Sequence, residues 1–241
     1  MHYYLLASGS KGNCCVIRGN ETQLVIDCGS TKRHLADSFQ QIRIDYRQTD
    51  ALLLTHAHSD HTSQLKMFSR SLVYSPFPVP DFHWQAVIPF EPFVVGEFQI
   101  MPIPLSHDSG ITLGYILNTE KEKLVYITDT GYLKTDYYPL IENADYYVLE
   151  SNHDIKMLME SKRPYPLKKR IISDNGHLDN ESCSEILINV VGSRTKEVIL
   201  AHLSEEANTP ELALNSANSK LKGKEIAVRA AQQFRIIEGG Q

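Results

Sequence analysis

Cysteine, long apolar runs and excess positive charge are all scarce in this sequence of 241 residues. The four cysteines are too few and too irregularly spaced for a disulfide framework, which favours reduced thiols in a cytoplasmic protein. No run approaches the roughly 18 apolar residues that span a bilayer, and residues 1–7 lack the cationic start of a secretory signal, so we expect no membrane partner. With 24 basic against 29 acidic residues, the formal charge of −5 argues against a protein that mainly coats nucleic acid.

The composition that remains is typical of a folded globular protein. Hydrophobic residues make up 42% of the chain and charged residues 22%, and no low-complexity tract or long linker divides it. We therefore predict a single domain over residues 1–241, which is long enough to bury a core of its own. The sequence gives no indication of an oligomeric state.

Short apolar runs bounded by turn residues predict strands, and amphipathic stretches between them predict helices. Strands are predicted at residues 23–26, 51–54, 71–74, 93–103, 111–118, 124–127, 146–149, 197–200, 226–230 and 234–238. Helices are predicted around residues 35–42, near 153–160 and 181–191, and from Thr209, whose hydroxyl precedes a proline at the first helical position. Strands with interspersed helices predict a layered α/β domain.

Histidines carry the strongest functional signal, because several of the ten fall in the cluster Thr55-His56-Ala57-His58-Ser59-Asp60-His61. Chance would place a His-x-His-x-Asp-His pattern in roughly one chain in a thousand of this length and composition. In an extended segment leaving a strand, residues two apart point the same way, so His56 and His58 can converge on one ion. Asp60 and His61 can serve a second ion, and imidazole with carboxylate suits Zn²⁺, Mn²⁺ or iron.

Other polar residues also follow predicted apolar strands and are candidate ligands. His107, Asp129 and His202 each occupy this position, and the repetition favours a metal site although each residue alone is more often structural. Asp27 also follows a strand, but here a turn-forming role and a hydrogen bond to a ligating histidine are equally compatible with the pattern.

The whole pattern resembles the metallo-β-lactamase superfamily over nearly the full chain. This resemblance implies a four-layer αββα sandwich with a dinuclear metal site at the edge of its two sheets, and places Asp27 near that site without a bond to metal. It assigns two sets of ligands that share Asp129, namely His56, His58 and His107, and Asp60, His61 and His202.

Shorter motifs resemble the YycJ/WalJ-type bacterial proteins within this superfamily. They are Ala7-Ser8-Gly9-Ser10-Lys11-Gly12-Asn13-Cys14, Leu149-Glu150-Ser151-Asn152-His153-Asp154, Gly176-His177-Leu178, and Ala201-His202-Leu203-Ser204 with Asn208-Thr209-Pro210. This second resemblance implies a metal-dependent phosphodiesterase that acts on DNA as an exonuclease from the 5′ end, with a link to DNA repair. The stretch between Asp129 and His202 is too short for the inserted domain of the RNA-maturation nucleases, and the helical domain of glyoxalase II is missing.

Two histidines outside the ligand sets are candidate catalytic residues beside Asp60. His153 and His177 are either ordinary hydrogen-bonded histidines or groups that bind the scissile phosphate or protonate the leaving oxygen. The turn Asn175-Gly176-His177 favours His177, and Asn152 could help to position the same phosphate.

Candidate substrate contacts lie in a basic run and in an N-terminal loop. Five cations fall within residues 162–170, which form either a solvated face or a nucleic-acid track where Lys168, Lys169 and Arg170 contact phosphates. Ser8 and Asn13 bound a segment that is either a flexible turn or a phosphate cradle of backbone N–H groups. The main alternative is a metallohydrolase for a small ester, lactam or cyclic phosphodiester. A non-catalytic metal-binding scaffold is a further alternative, although the intact ligand set argues against it.

Overall fold

Strands and helices alternate along the chain, and the computed structural model describes residues 1–240. The strands are β1 His2–Ala7, β2 Cys14–Arg18, β3 Gln23–Ile26, β4 Ala51–Leu53, β5 Leu72–Ser75, β6 Trp84–Ala86, β7 Phe93–Val95, β8 Phe98–Leu105, β9 Thr112–Asn118, β10 Lys123–Ile127, β11 Tyr146–Glu150, β12 Glu197–Ala201, β13 Ala227–Ala230 and β14 Ile237–Gly240. The α-helices are α1 Lys32–Gln41, α2 Ser59–Thr62, α3 Tyr138–Ile141, α4 Ile155–Glu160, α5 Tyr165–Ile172, α6 Asn180–Val190 and α7 Pro210–Lys220. Short 3₁₀ turns lie at Tyr46–Gln48, Leu65–Phe68 and Thr135–Tyr137.

The strands form two mixed sheets of seven strands each. In the first sheet, ordered β14-β1-β2-β3-β4-β5-β6, strands β3 to β6 are parallel and the remaining pairs are antiparallel. The second sheet, ordered β13-β12-β11-β10-β9-β8-β7, repeats this plan with β10 to β13 parallel. Parallel strands all end at the same edge of their sheet, where ligands are usually bound in α/β folds.

Apolar side chains fill the spaces between four layers of secondary structure. Tyr3 and Tyr115 belong to the cluster that packs one sheet against the other. Leu35 and Phe39 attach α1 to the outer face of the first sheet, and Leu187 helps to attach α6 to the outer face of the second. This arrangement confirms the predicted αββα sandwich.

Two predicted strands differ from the structure in detail. The strand predicted at 234–238 is β14 at Ile237–Gly240. The run 93–103 is a hairpin of β7 and β8, in which Val95 pairs with Phe98. Gly96 turns the chain with a φ of +55°, and a Cβ built there would lie 1.8 Å from Thr22 Oγ1. The apolar character of both strands hid this turn, which requires glycine.

The basic run forms a helix that was not predicted. Pro164 precedes α5, and Leu167 and Ile171, one turn apart, contact Leu158 and Ala207. The four predicted helices are confirmed within a few residues. One of them is capped by Thr209, whose hydroxyl accepts from the N–H of Leu212. No helix within residues 1–240 is long and apolar enough to cross a membrane.

Candidate metal centre

The predicted ligands meet at one edge of the two sheets, just beyond the carboxyl ends of parallel strands. The segment that carries His56 leaves β4, Asp129 lies two residues beyond β10, and His202 follows β12 directly. His107 lies two residues beyond β8, which runs in the same direction as β10 because β9 is antiparallel to both. The topology therefore gathers side chains that are far apart in sequence.

The first ligand group contains three histidines, His56, His58 and His107, whose ring nitrogens lie within 4.8 Å of one another. His56 Nε2 is 3.0 Å from His58 Nδ1. His107 directs Nδ1 to the carbonyl oxygen of Gly176 at 3.1 Å, which leaves Nε2 for the centre of the group. Burial, together with the nearby His61, lowers the pKa of His56 to about 2, so His56 is held as the neutral imidazole that binds metal.

The second ligand group contains Asp60, His61 and His202, also within 4.8 Å. His61 Nε2 lies 3.6 Å from an Asp60 oxygen and 3.3 Å from Asp129 Oδ2. The other Asp129 oxygen, Oδ1, is 3.5 Å from His202 Nε2 and 3.9 Å from His107 Nε2. Asp129 therefore lies between the two groups, in the position of a shared ligand.

Two buried polar atoms at this centre make no hydrogen bond with any residue of the described chain. They are Asp129 Oδ2 and His202 Nε2, on side chains that are only 3% and 2% exposed. An unsatisfied buried polar group costs about 1–3 kcal/mol. Both atoms are metal-ligand types and face the centre of the cluster, so the residues present fit divalent cations.

Asp27 orients one of the ligands. Its carboxylate accepts from the N–H of Thr55 at 2.9 Å, from the Thr55 hydroxyl at 2.8 Å and from His61 Nδ1 at 2.7 Å. A proton on Nδ1 makes Nε2 the nitrogen of His61 that could bind metal. The structure thus shows a contact between Asp27 and a candidate ligand, one of the two roles considered for Asp27.

Glu150 is a site residue that the sequence analysis missed. It ends β11, is completely buried, and accepts from His177 Nδ1 at 2.7 Å, His202 Nδ1 at 2.8 Å and the N–H of Thr130 at 2.8 Å. Burial would raise the pKa of this carboxyl, but His177 and His202 hold it at about 2. The signal was present, because Glu150 ends an apolar strand much as Asp129 follows one.

Three site residues have left-handed backbone conformations. The φ angles of Asp27, Asp129 and His202 are +58°, +62° and +56°. Aspartate and histidine adopt this region more readily than most residues, although it is uncommon for any residue other than glycine. Such strain costs on the order of 1–3 kcal/mol at each residue and is typical of functional sites.

The two candidate catalytic histidines occupy different environments. His177 lines the open cleft above the ligands, its side chain is 20% exposed, and its ring centre lies 5.1 Å from those of His107 and His202. His153 is 1% exposed, does not line that cleft, and forms a backbone bridge with Asp179. The structure therefore brings His177, but not His153, to the ligand groups.

The cleft itself has a volume of about 610 Å³. Its floor is formed by ligands from both groups, and Asn152 lies at one side and donates to the carbonyl of His202 at 2.8 Å. Lys162, Arg163 and Arg170 line a wall. Arg163 forms an ion pair with Glu206 at 2.9 Å, and Arg170 forms one with Asp108.

Two of the three predicted basic contacts lie elsewhere. Lys168 is 8% exposed, and its ammonium group donates to the carbonyls of Met159 and Ser161 at 2.6 and 2.7 Å. This burial ties Lys168 to the segment that follows α4, so it is not available to a substrate. Lys169 is exposed outside the cleft, with its ammonium 5.5 Å from the Tyr165 ring centre.

Ser8 and Asn13 support ligands from below the cleft. The Ser8 hydroxyl accepts from the N–H of His202 at 2.8 Å. Asn13 is fully buried, accepts from the N–H of Gly9 at 2.9 Å, and places Nδ2 2.9 Å from His61 Nε2. The N–H of Lys11 donates to Gln233 Oε1. Hydrogen bonds within the N-terminal loop and to Gln233 therefore fix its conformation, and the loop contacts both His61 and His202.

The fold and the site define a class. A four-layer sandwich with His-x-His-x-Asp-His after β4, and further ligands at neighbouring strand ends, is the arrangement of a metal-dependent hydrolase, and this chain belongs to the metallo-β-lactamase superfamily. The family described as "Beta-lactamase superfamily domain" matches residues 68–203, and the family described as "Metallo-beta-lactamase superfamily" matches residues 7–83.

Individual proteins resemble this chain either in sequence or in fold. The chain is 32% identical to exodeoxyribonuclease YycJ of Bacillus anthracis, covering 96% of this chain and 93% of that protein. It is 31% identical to exodeoxyribonuclease WalJ of Streptococcus pneumoniae serotype 2, covering 94% and 90%. Among solved structures, the metallo-β-lactamase fold protein YhfI of Bacillus subtilis has a TM-score of 0.74 at 17% identity over 99% of each chain, and the short form of human tRNase Z has a TM-score of 0.69 at 16% identity over 98% of each.

Proposed function

We propose that this protein is a DNA exonuclease that hydrolyses phosphodiester bonds at a centre of two divalent ions, Zn²⁺ or Mn²⁺ with iron as a further option. The position of Asp129 between two groups of ligand atoms is the observation that carries the proposal. His56, His58 and His107 would hold one ion, and Asp60, His61 and His202 the other. When bound, such ions polarise a phosphoryl oxygen and lower the pKa of a bound water.

DNA is the proposed substrate because the relatives at 31–32% identity are named exodeoxyribonucleases and because cations line the cleft. Arg163 and Arg170 would exchange their rim carboxylates for the phosphates that flank the scissile bond, since charge-assisted bonds to phosphate are strong. The 5′-to-3′ direction and a role in DNA repair are parts of the same proposal and rest on the resemblance to the YycJ/WalJ type.

His177 is the proposed proton donor to the leaving oxygen. Its Nδ1 is engaged by the buried Glu150 carboxylate at 2.7 Å, which fixes the ring at the cleft and leaves Nε2 as the free ring nitrogen. Nε2 is the ring atom that would release a proton to the departing alkoxide. Asn152, held against His202, would orient the same phosphate.

The test is cleavage of end-labelled nucleic acids by the metal-reconstituted protein. Single- and double-stranded DNA and RNA are incubated with the wild type and with Asp60→Asn, which removes the charge of a proposed ligand. A 5′-to-3′ exonuclease releases a very short labelled product from a 5′-labelled strand and shortens a 3′-labelled strand stepwise. Inactivity of the wild type on all four substrates would refute the nuclease proposal, and hydrolysis of only a small ester or cyclic phosphodiester would favour the alternative.

A further inference from the structure

A second pocket, of about 370 Å³, opens where α2 ends. Four cationic side chains from separate segments line it, and we call it the basic pocket: Lys32 at the start of α1, Arg47 in the 3₁₀ turn 46–48, and Lys66 and Arg70 in and after the turn 65–68. No aspartate or glutamate is among its lining residues. In a chain with a formal charge of −5, this is a local concentration of positive charge.

Most of these cations are not paired with a carboxylate of the described residues. Arg47 lies 3.2 Å from Asp45, but Lys32, Lys66 and Arg70 form no ion pair with any residue between 1 and 240. The cleft cations Arg163 and Arg170, by contrast, are each paired with a carboxylate. Convergent like charges repel one another, so an anion that binds among them gains from all of them at once.

The walls of the basic pocket are firmly packed. Tyr46 is half-buried, with its ring 5.7 Å from that of Phe39 and 6.2 Å from that of Phe68. The hydroxyl of Ser63 and the amide of Gln64 both donate to the carbonyl of Ser30 at 2.9 Å, which ties the end of α2 to the loop before α1. The cations therefore extend from a fixed frame, which lowers the entropy cost of binding an anion.

The basic pocket extends from the end of α2 towards the starts of β4 and β5. Asp60 lies on α2, and Ser63, which lines the pocket, directly follows this helix. Arg47 and Arg70 precede β4 and β5, at the edge of the first sheet opposite to the metal centre. A nucleic-acid strand with one phosphate at the candidate ligands would therefore run along α2 and place phosphates several nucleotides away among the four cations.

We infer that the basic pocket is a second phosphate-binding site, which holds the backbone of the substrate strand several nucleotides from the metal centre. The identity of the strand rests on the proposed function, whereas binding of phosphate groups rests on the pocket itself. The same chemistry would accept a mononucleotide or a terminal phosphate, and the experiment separates these sources by strand length.

The test compares two variants that each lose two positive charges. Lys66→Gln/Arg70→Gln alters the basic pocket next to the first sheet, whereas the control Lys121→Gln/Lys222→Gln alters exposed turns before β10 and β13 of the second sheet. Binding of metal-loaded protein to a long phosphorothioate strand, a dinucleotide and thymidine monophosphate is measured by fluorescence anisotropy or competition at several salt concentrations. Hydrolysis of bis(p-nitrophenyl) phosphate, which is too small to reach the basic pocket, reports on the metal centre.

We expect the pocket variant to bind the long strand about tenfold more weakly than the wild type, with a salt slope smaller by about 1.4, or 0.7 for each of two lost contacts. Hydrolysis of the small ester should not change. A loss confined to the long strand identifies backbone phosphates, and an equal loss for thymidine monophosphate identifies a free or terminal phosphate. Strand affinity and salt slope equal to those of the control, or no binding of any probe by the wild type, would overturn the inference.

These results are separable from the proposed function. A wild-type protein that binds DNA through the basic pocket but cleaves none would refute the exonuclease while supporting the phosphate site. A protein that cleaves DNA, and whose pocket and control variants bind the strand with equal affinity, would support the exonuclease and refute the phosphate site.

Discussion

Replacing Glu150 by glutamine should weaken metal binding although Glu150 is not among the proposed metal ligands. The carboxylate holds His202 Nδ1 at 2.8 Å, and this makes Nε2 the ring nitrogen that would bind metal. A glutamine offers one acceptor oxygen for both His177 and His202, which lie 2.7 and 2.8 Å from the same Glu150 oxygen. The amide carries no charge and includes an NH₂ donor. It therefore does not enforce the His202 tautomer that would bind metal.

The size of the effect follows from these two contacts. A hydrogen bond to a buried charge contributes about 1.5–3 kcal/mol. Only the contact with His202 orients a ligand, so we expect Glu150→Gln to lower metal affinity by about 10- to 100-fold, in line with other residues that orient ligands. That loss corresponds to about 1.4–2.8 kcal/mol. The contact with His177 should reduce turnover further in fully metal-loaded protein.

Competition with a chromophoric chelator measures the metal affinity, and metal analysis after dialysis gives the stoichiometry. The matched control is Glu205→Gln, which removes an exposed carboxylate that pairs with Lys11 at 2.6 Å on the cleft side of the molecule. Circular dichroism should show that both variants are folded. A metal affinity of Glu150→Gln equal to that of Glu205→Gln would refute the orienting role of Glu150.

Three further predictions concern His177, Lys168 and His202. His177→Ala should lower kcat for DNA by about 10²–10⁴-fold and leave the metal content unchanged, because it removes the proposed proton donor but no proposed ligand. Steady-state kinetics and metal analysis on one preparation test this. Lys168→Met should lower the free energy of unfolding by about 1–3 kcal/mol through two unsatisfied carbonyls, with unchanged DNA affinity, and urea denaturation would show whether it does. Burial lowers the pKa of His202, but Asp129 and Glu150 outweigh burial and raise the pKa to about 9 in the metal-free protein. Below that pH an incoming metal must displace a proton from His202, so metal affinity should rise as the pH increases towards about 9; a pH-independent affinity would contradict the assignment.

Two independent patterns in the sequence predicted the candidate ligands. His56, His58 and His61 are close in sequence, and their spacing is tied to the geometry of a strand end. Asp129 and His202 are single residues, and only the repeated position after an apolar strand brought them into the same prediction. Parallel strands then place all of these positions at one edge, which makes a local pattern informative about a site assembled from distant segments.

Residues that orient the ligands were harder to find because their contacts are set by tertiary structure alone. Glu150 belongs to a motif noted in the sequence, yet its two histidine partners lie 27 and 52 residues away. Lys168 was predicted as a phosphate contact because charge in a basic run is visible, whereas the two carbonyls that bury it are not. Ser8 and Asn13 were predicted as substrate contacts, whereas the structure shows their side chains in contact with the candidate ligands His202 and His61.

The contact between Ser8 and His202 also has a consequence for protein synthesis. It joins residues 194 positions apart, and β1, which leads to Ser8, pairs with β14 at residues 237–240. Domains fold as units while the ribosome adds residues from the N-terminus onward. The His-x-His-x-Asp-His segment leaves the ribosome long before His202 and β14 do, so a nascent chain holds only part of its ligand set. Hydrolytic activity should therefore appear late in translation, and polypeptides released early would be inactive.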